Sequence, residues 1–323
     1  MMLIDGLQCG HFNRASFEEL RLGGVTCVTV TCGFWEGAIE SLDSLARWRD
    51  LIRANADLAL IATTVADIRR ADAEGKVAVI LGFQNTNCLQ GRIRFVELFA
   101  ELGTRVLQLT YNNQNELGGS CYEENDSGLA RFGREVIDEM NRTGIVVDLS
   151  HVGDRTTLDA IRWSKKPVAI THANPRAVYD HPRNKSNEVI AALRDNGGVI
   201  GCATYRNIVG DAHSENLRQW CELVARTVEL AGIDHVGIGT DTNHNKKVPD
   251  DLDWMRKGYW TRGENYGAGS ATRPGAVPPP FWYQRPSQLN LVFDGFREVG
   301  FSPDEIAAIT SGNWLRLYGE VFG

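Results

Sequence analysis

Seven histidines are scattered along the 323-residue chain, and two of them, His151 and His172, each follow directly on a short apolar, β-branched run, IVVDLS and VAIT. Asp241 follows a third such run, VGIGT. Neutral imidazoles bind a divalent cation, the cation acidifies a water, and a nearby carboxylate accepts or relays the proton. Two imidazoles and a carboxylate, each at the end of an apolar run, are therefore the residue types of a metal-assisted hydrolase. One histidine after a strand is ordinarily a hydrogen-bonded structural residue, and an isolated aspartate can simply cap a loop. It is the recurrence of the pattern at three strand ends that points to chemistry. Leu7, Cys9, Gln84 and Tyr111 stand at the ends of further runs of the same kind.

Such groups converge only if the runs are neighbouring strands. Eight are read, near 2–7, 25–30, 77–82, 105–110, 144–149, 167–171, 198–203 and 235–240. Most are continuously apolar rather than alternating, as strands covered on both faces of a parallel sheet are. The intervening stretches have helical spacing: 131–143 stops just before Gly144, and 214–231 carries Leu217, Cys221, Val224 and Val228 on one stripe. Eight strand–helix units predict an α/β fold, a single (β/α)8 TIM-type barrel over residues 1–323, with catalytic groups where strands end. No GxGxxG follows the first strand, which argues against a dinucleotide fold. Long loops are expected after the fourth and eighth strands, at 112–127 and 242–285. Extra C-terminal helices are expected at about 287–299 and 303–319, the second capped by Ser302, Pro303 and Glu305.

Composition bounds the partners. The hydrophobic fraction of 43% and charged fraction of 23% are those of a globular protein able to bury a large core. The net charge of −7 disfavours nucleic acid or an anionic membrane as a partner. The seven cysteines form no CxxC pair, and MMLIDGLQCGHF lacks the basic start and apolar run of a secretory leader. A cytoplasmic location is the expectation.

Several segments resemble the membrane (renal-type) dipeptidases, zinc peptidases related to the amidohydrolases. They are LTYNNQN at 109–115, GLARFGREVIDEMNRTGIVVDLSHVG at 128–153, ITHANPRAV at 170–178, RNK at 183–185, GGVIG at 197–201, GIGTD at 237–241 and SGNWLRL at 311–317. The resemblance implies a (β/α)8 barrel, a homodimer, and two zinc ions bridged by a glutamate. By that pattern His151 and His172 correspond to the imidazoles of the second metal, and Asp241 to the carboxylate that handles the proton of the attacking water. Arg183, with Asn184 beside it, corresponds to the substrate-carboxylate site, where a guanidinium fits well.

The departures are as informative. Where the family has Asp-Gly-His-x-Asp, this chain reads Asp5-Gly6-Leu7-Gln8-Cys9, and Gln84 stands where the bridging glutamate falls. Tyr111 replaces a substrate-contacting histidine. A neutral amide cannot offset the repulsion of two close cations, and leucine ligates nothing. The expectation is at most one zinc, on His151 and His172 with Cys9 or Gln84 as a further ligand, or none. Cys9 is a soft ligand, and equally a small side chain filling space. Without metal, Asp241 and a histidine form an acid–base pair, with Tyr111 as oxyanion donor; a Cys9 nucleophile lacks any local signature. The leading reading is hydrolysis of an amide in a small zwitterionic or carboxylate-bearing substrate: a dipeptide, an N-acyl amino acid or a betaine-like amide. In the last case Trp254, Tyr259, Trp260, Trp282 and Tyr283 of the second long loop are the candidate cation-binding wall. The rivals are a catalytically silent small-molecule binder and a non-hydrolytic acid–base enzyme.

Overall fold

The structure, a computed structural model, describes residues 1–245 and 279–323. Ten strands are present among them: β1 (Ile4–Gly10), β2 (Cys27–Thr31), β3 (Ala59–Ile61), β4 (Val77–Phe83), β5 (Thr104–Gln108), β6 (Val146–Asp148), β7 (Ala169–Ala173), β8 (Val199–Cys202), β9 (Val236–Ile238) and β10 (Thr242–His244). All pair in parallel in the order β1-β2-β4-β5-β6-β7-β8-β9, and Asp5 against Ile238 closes the ring between β1 and β9. These eight are the strands read from the sequence, and helices ring them as a (β/α)8 barrel requires.

The two further strands are additions to existing edges. β3 pairs with residues 77–79 of β4, below the stretch where β5 takes over at 81–83. β10 continues β9 along β1, pairing Gln8 with Thr242. The loop expected to open at 242 thus begins as a strand, and most of it, residues 246–278 with Trp254, Tyr259 and Trp260, lies outside the described residues.

The helix predicted at 131–143 spans Arg131–Thr143 and ends on Gly144 at φ 71°, a conformation glycine adopts without penalty. The 303–319 segment begins with Ser302 and Glu305 exchanging hydrogen bonds as a capping box. It then passes through a π turn at Ala308–Gly312 into a helix at Asn313–Phe322. The 287–299 helix is instead a 3₁₀ turn, Pro286–Leu291, leading into Val292–Glu298.

The barrel interior explains its own shape. Ile4, Cys27, Ala78, Ile80, Val106, Val146, Ala169 and Val199 point inward from the early part of their strands and pack on Trp314, Leu317, Tyr318 and Val321. Trp314 enters the floor because glycines leave room: a Cβ added at Gly6, Gly201 or Gly237 would meet its ring atoms at 2.6, 3.0 and 2.4 Å. Its Nε1–H donates to Ile238 O at 3.1 Å, so the buried indole keeps a partner. With the floor plugged, the described residues leave the opposite end, where strands terminate, open to a ligand.

Candidate active site

A cavity of about 280 Å³ opens at that end, walled by Cys9, Gln84, Tyr111, His151, Arg183 and Asp241 among others. Phe34, Asn112, Tyr122, Tyr205, Arg206 and Tyr283 complete much of the wall, and none of these but Tyr283 was singled out from the sequence. His172 is brought to the same place but lies fully buried behind the wall.

The two imidazoles meet edge to edge, with Nε2 of His151 3.0 Å from Nε2 of His172. Their outer nitrogens fix the tautomers. The side-chain amide oxygen of Asn112 accepts from Nδ1 of His151 at 2.6 Å. The Thr171 hydroxyl donates to Asp148 at 2.8 Å and so accepts from Nδ1 of His172 at 2.7 Å. The two Nε2 atoms therefore face one another at a distance where they can share a proton or turn together toward a cation. Asn112 serves this role from a left-handed backbone, φ 58°, which asparagine tolerates better than most residues. Burial, reinforced by the charges of Arg183 and Lys185, holds both imidazoles well below the ordinary histidine range, so they are neutral near pH 7.

His151 and His172 are two imidazoles within reach of one ion, and a second ion finds no comparable pair among the other candidate ligands. Among the described residues no group of three or more His, Cys, Asp or Glu side chains comes within the reach of one metal. Leu7 is 2% exposed in the core and offers no ligand. Gln84 donates its amide N–H to Thr31 Oγ1 at 2.8 Å, which orients the amide on the barrel wall. Cys9 joins Phe34, Trp35 and Tyr111 in a small buried cluster of its own.

The remaining groups of the cavity differ in strain, burial and charge. Asp241 sits at φ 60°, a strained setting for a non-glycine residue of the sort concentrated at functional sites, and its backbone N–H is tied to Leu7 O at 3.1 Å. The Tyr111 phenol is pushed well above its ordinary pKa by burial and then by Asp241, so it stays protonated and able to donate. Arg183 is 3% exposed; its guanidinium donates to Ser150 O at 2.5 Å and His172 O at 2.8 Å. Among the described residues it has no ion-pair partner, although it lines the cavity. Asn184, expected at the substrate, is placed differently. Its amide donates to Tyr179 O and Ile208 O, its carbonyl accepts from Asn174 N, and it does not reach the cavity wall. From the aromatic loop, Tyr283 lines the cavity, its hydroxyl 2.9 Å from Thr242 Oγ1, whereas Trp282 packs on Trp220 with ring centroids 5.2 Å apart.

Known proteins share this fold and parts of this sequence. An amidohydrolase from Pseudomonas aeruginosa superposes with a TM-score of 0.93 at 34% identity, over 100% of this chain and 97% of that one. Dipeptidase verJ of Clonostachys rogersoniana is 31% identical over 282 residues, 79% of this chain and 70% of the relative. An uncharacterized dipeptidase of Schizosaccharomyces pombe is 29% identical over 225 residues, 68% of this chain; the match spans only 54% of that relative's length. The family model for membrane dipeptidase, peptidase family M19, matches residues 11–258. With the barrel, the paired imidazoles and these likenesses in agreement, the chain belongs to the membrane dipeptidase family.

Proposed function

We propose that the protein hydrolyses an amide bond in a small carboxylate-bearing substrate, using at most one zinc ion. The observation that carries this reading is the convergence of His151, Asp241, Tyr111 and Arg183 on one cavity. His151 and His172 would hold the ion, which when bound supplies a Lewis acid and a water of lowered pKa. Arg183 takes the substrate carboxylate on the guanidinium N–H groups that Ser150 O and His172 O leave over. Asp241 accepts the proton of the attacking water and returns it to the departing amine. Tyr111, protonated, donates to the oxygen on which charge develops.

A second reading, a small-molecule binder that has lost catalysis, is favoured by Leu7, Cys9 and Gln84 at the altered positions and by the lack, among the described residues, of a third His, Cys, Asp or Glu beside the pair. Elemental analysis of untagged protein purified without chelator, together with amine release from a panel of dipeptides and N-acyl amino acids, decides between them. About one zinc per chain with turnover supports the hydrolase; negligible metal and no turnover after zinc addition supports the binder.

No helix among the described residues is long and apolar enough to cross a membrane. All seven cysteines are free, which suits the reducing cytoplasm proposed for the protein. A homodimer is proposed from family membership and is read directly by light scattering.

A further inference from the structure

The cavity wall is not chemically even. Phe34 lies 4.8 Å from Tyr111, and Tyr111 lies 4.4 Å from His151, centroid to centroid, so one continuous row of rings ends at the paired imidazoles. With Cys9 and Trp35 this row forms a buried apolar cluster separate from both main cores. Arg183 lines the same cavity, anchored on the carbonyl of the residue preceding His151, Ser150. The cavity at His151 therefore carries both an apolar wall and a guanidinium.

Resting on the hydrolase reading above, we infer that the preferred substrate is an N-acyl amino acid with an aromatic or branched apolar acyl group, rather than a dipeptide with a free α-amine. The order of groups follows the wall: carboxylate at Arg183, scissile amide over His151, acyl group against Cys9, Phe34 and Tyr111. A dipeptide in the same register would press its α-ammonium onto that apolar row, desolvating a charge without a partner. The charges around the cavity disfavour a cation as well: among the described residues Arg183 and Arg285 line it with Asp241, and the third arginine, Arg206, is paired with Asp211. Nor does the row form an open aromatic cage for a quaternary ammonium, because Tyr111 already packs against His151, Phe34 and the edge of Trp35. Room for a large acyl group exists: a second cavity of about 530 Å³ shares Cys9 and Phe34 with the first, lined by Phe12, Trp48 and Leu51 together with Glu36 and Arg47. The Glu36 carboxylate is engaged by the backbone N–H groups of Phe34 and Trp35.

The test is isothermal titration calorimetry on the zinc-supplemented full chain with N-benzoylglycine, N-acetylglycine and glycylglycine. Benzoylglycine is expected to bind at least about tenfold more tightly than acetylglycine, the factor that ~1.4 kcal/mol of ring burial gives, with glycylglycine weakest. Phe34→Ala should bring the benzoyl-to-acetyl ratio to within about threefold, less than half of that free energy; if the alanine variant does not fold, Phe34→Gln carries the same test. Glycylglycine binding as tightly as benzoylglycine, or a ratio that survives loss of Phe34, overturns the inference and leaves the carboxylate-binding hydrolase standing. Failure of all three to bind overturns that reading and the inference together.

Discussion

Arg183 offers the sharpest test of how the cavity holds its substrate. A guanidinium has five N–H donors, and two here are committed to Ser150 O and His172 O at 2.5 and 2.8 Å. The others remain for a substrate carboxylate, in a setting only 3% exposed where a charge-assisted pair is weakly screened. Each such bond contributes roughly 1.5–3 kcal/mol. Arg183→Lys keeps the charge but loses the planar fork, so at least one bond goes and KM should rise roughly tenfold to a hundredfold. The kcat should fall by much less, because the contact is the same in ground and transition states. Arg183→Ala also frees the two carbonyls that flank the imidazole pair, and thermal unfolding separates that structural loss from the binding loss. Steady-state kinetics on an N-acyl amino acid and its carboxamide analogue closes a double-mutant cycle. The wild type should discriminate strongly against the carboxamide, and Arg183→Lys should discriminate weakly. A folded Arg183→Ala protein with unchanged KM would refute the assignment.

Metal content should be about one zinc per chain and should be lost in His172→Ala; two per chain would contradict the reading that Leu7, Cys9 and Gln84 cannot complete a binuclear centre. Leu7→His, Cys9→Asp and Gln84→Glu combined should admit a second zinc and turn the preference toward free dipeptides, and failure to do so would mean that the divergence reaches beyond these positions. Lys185, fully buried with its ammonium donating to Val152 O, is pushed by burial from 10.5 down to about 8. Between those pH values the unfolded chain holds a proton that the folded one has released, so stability should rise with pH from about 8 to about 10.5 and be flat below. Urea unfolding across pH 7–10 reads this, and Lys185→Met should abolish the rise. Trp314→Ala, emptying the barrel floor, should cost about 3–5 kcal/mol, measured by the urea midpoint; a loss under about 1 kcal/mol would show that the floor collapses around the gap.

The barrel was legible because most of its strands are buried on both faces and so read as nearly continuous apolar runs. β3 and β10 were not, since three-residue strands added to an existing edge carry no periodic signal. His151, Asp241 and Arg183 could be found because strand ends and motif positions mark them. What placed them could not. Asn112 and Thr171 act through partners distant in sequence, and nothing in a run of residues announces that Asp148 orients His172 through a threonine hydroxyl. Asn184 misled for the complementary reason: adjacency to Arg183 in sequence puts its side chain on the opposite side of the loop, bonded to backbone. The apolar cluster of Cys9, Phe34, Trp35 and Tyr111 is assembled from three separate segments and has no linear signature.

The plugged floor also bears on how the molecule is made. Trp314 packs against Gly6, Gly201 and Gly237, so residues from the first, eighth and ninth strands share a partner that leaves the ribosome after all of them. Until residues 313–322 emerge, every strand can be present while the space between them stays empty and their inward apolar side chains stay wet. A nascent chain in that state exposes unpaired strand edges, the condition in which chains aggregate or recruit chaperones. Ring closure and the filling of the floor should therefore arrive together, late in synthesis, as one cooperative step. A translation product stalled before Trp314 should be degraded rather than accumulate as a half-built barrel.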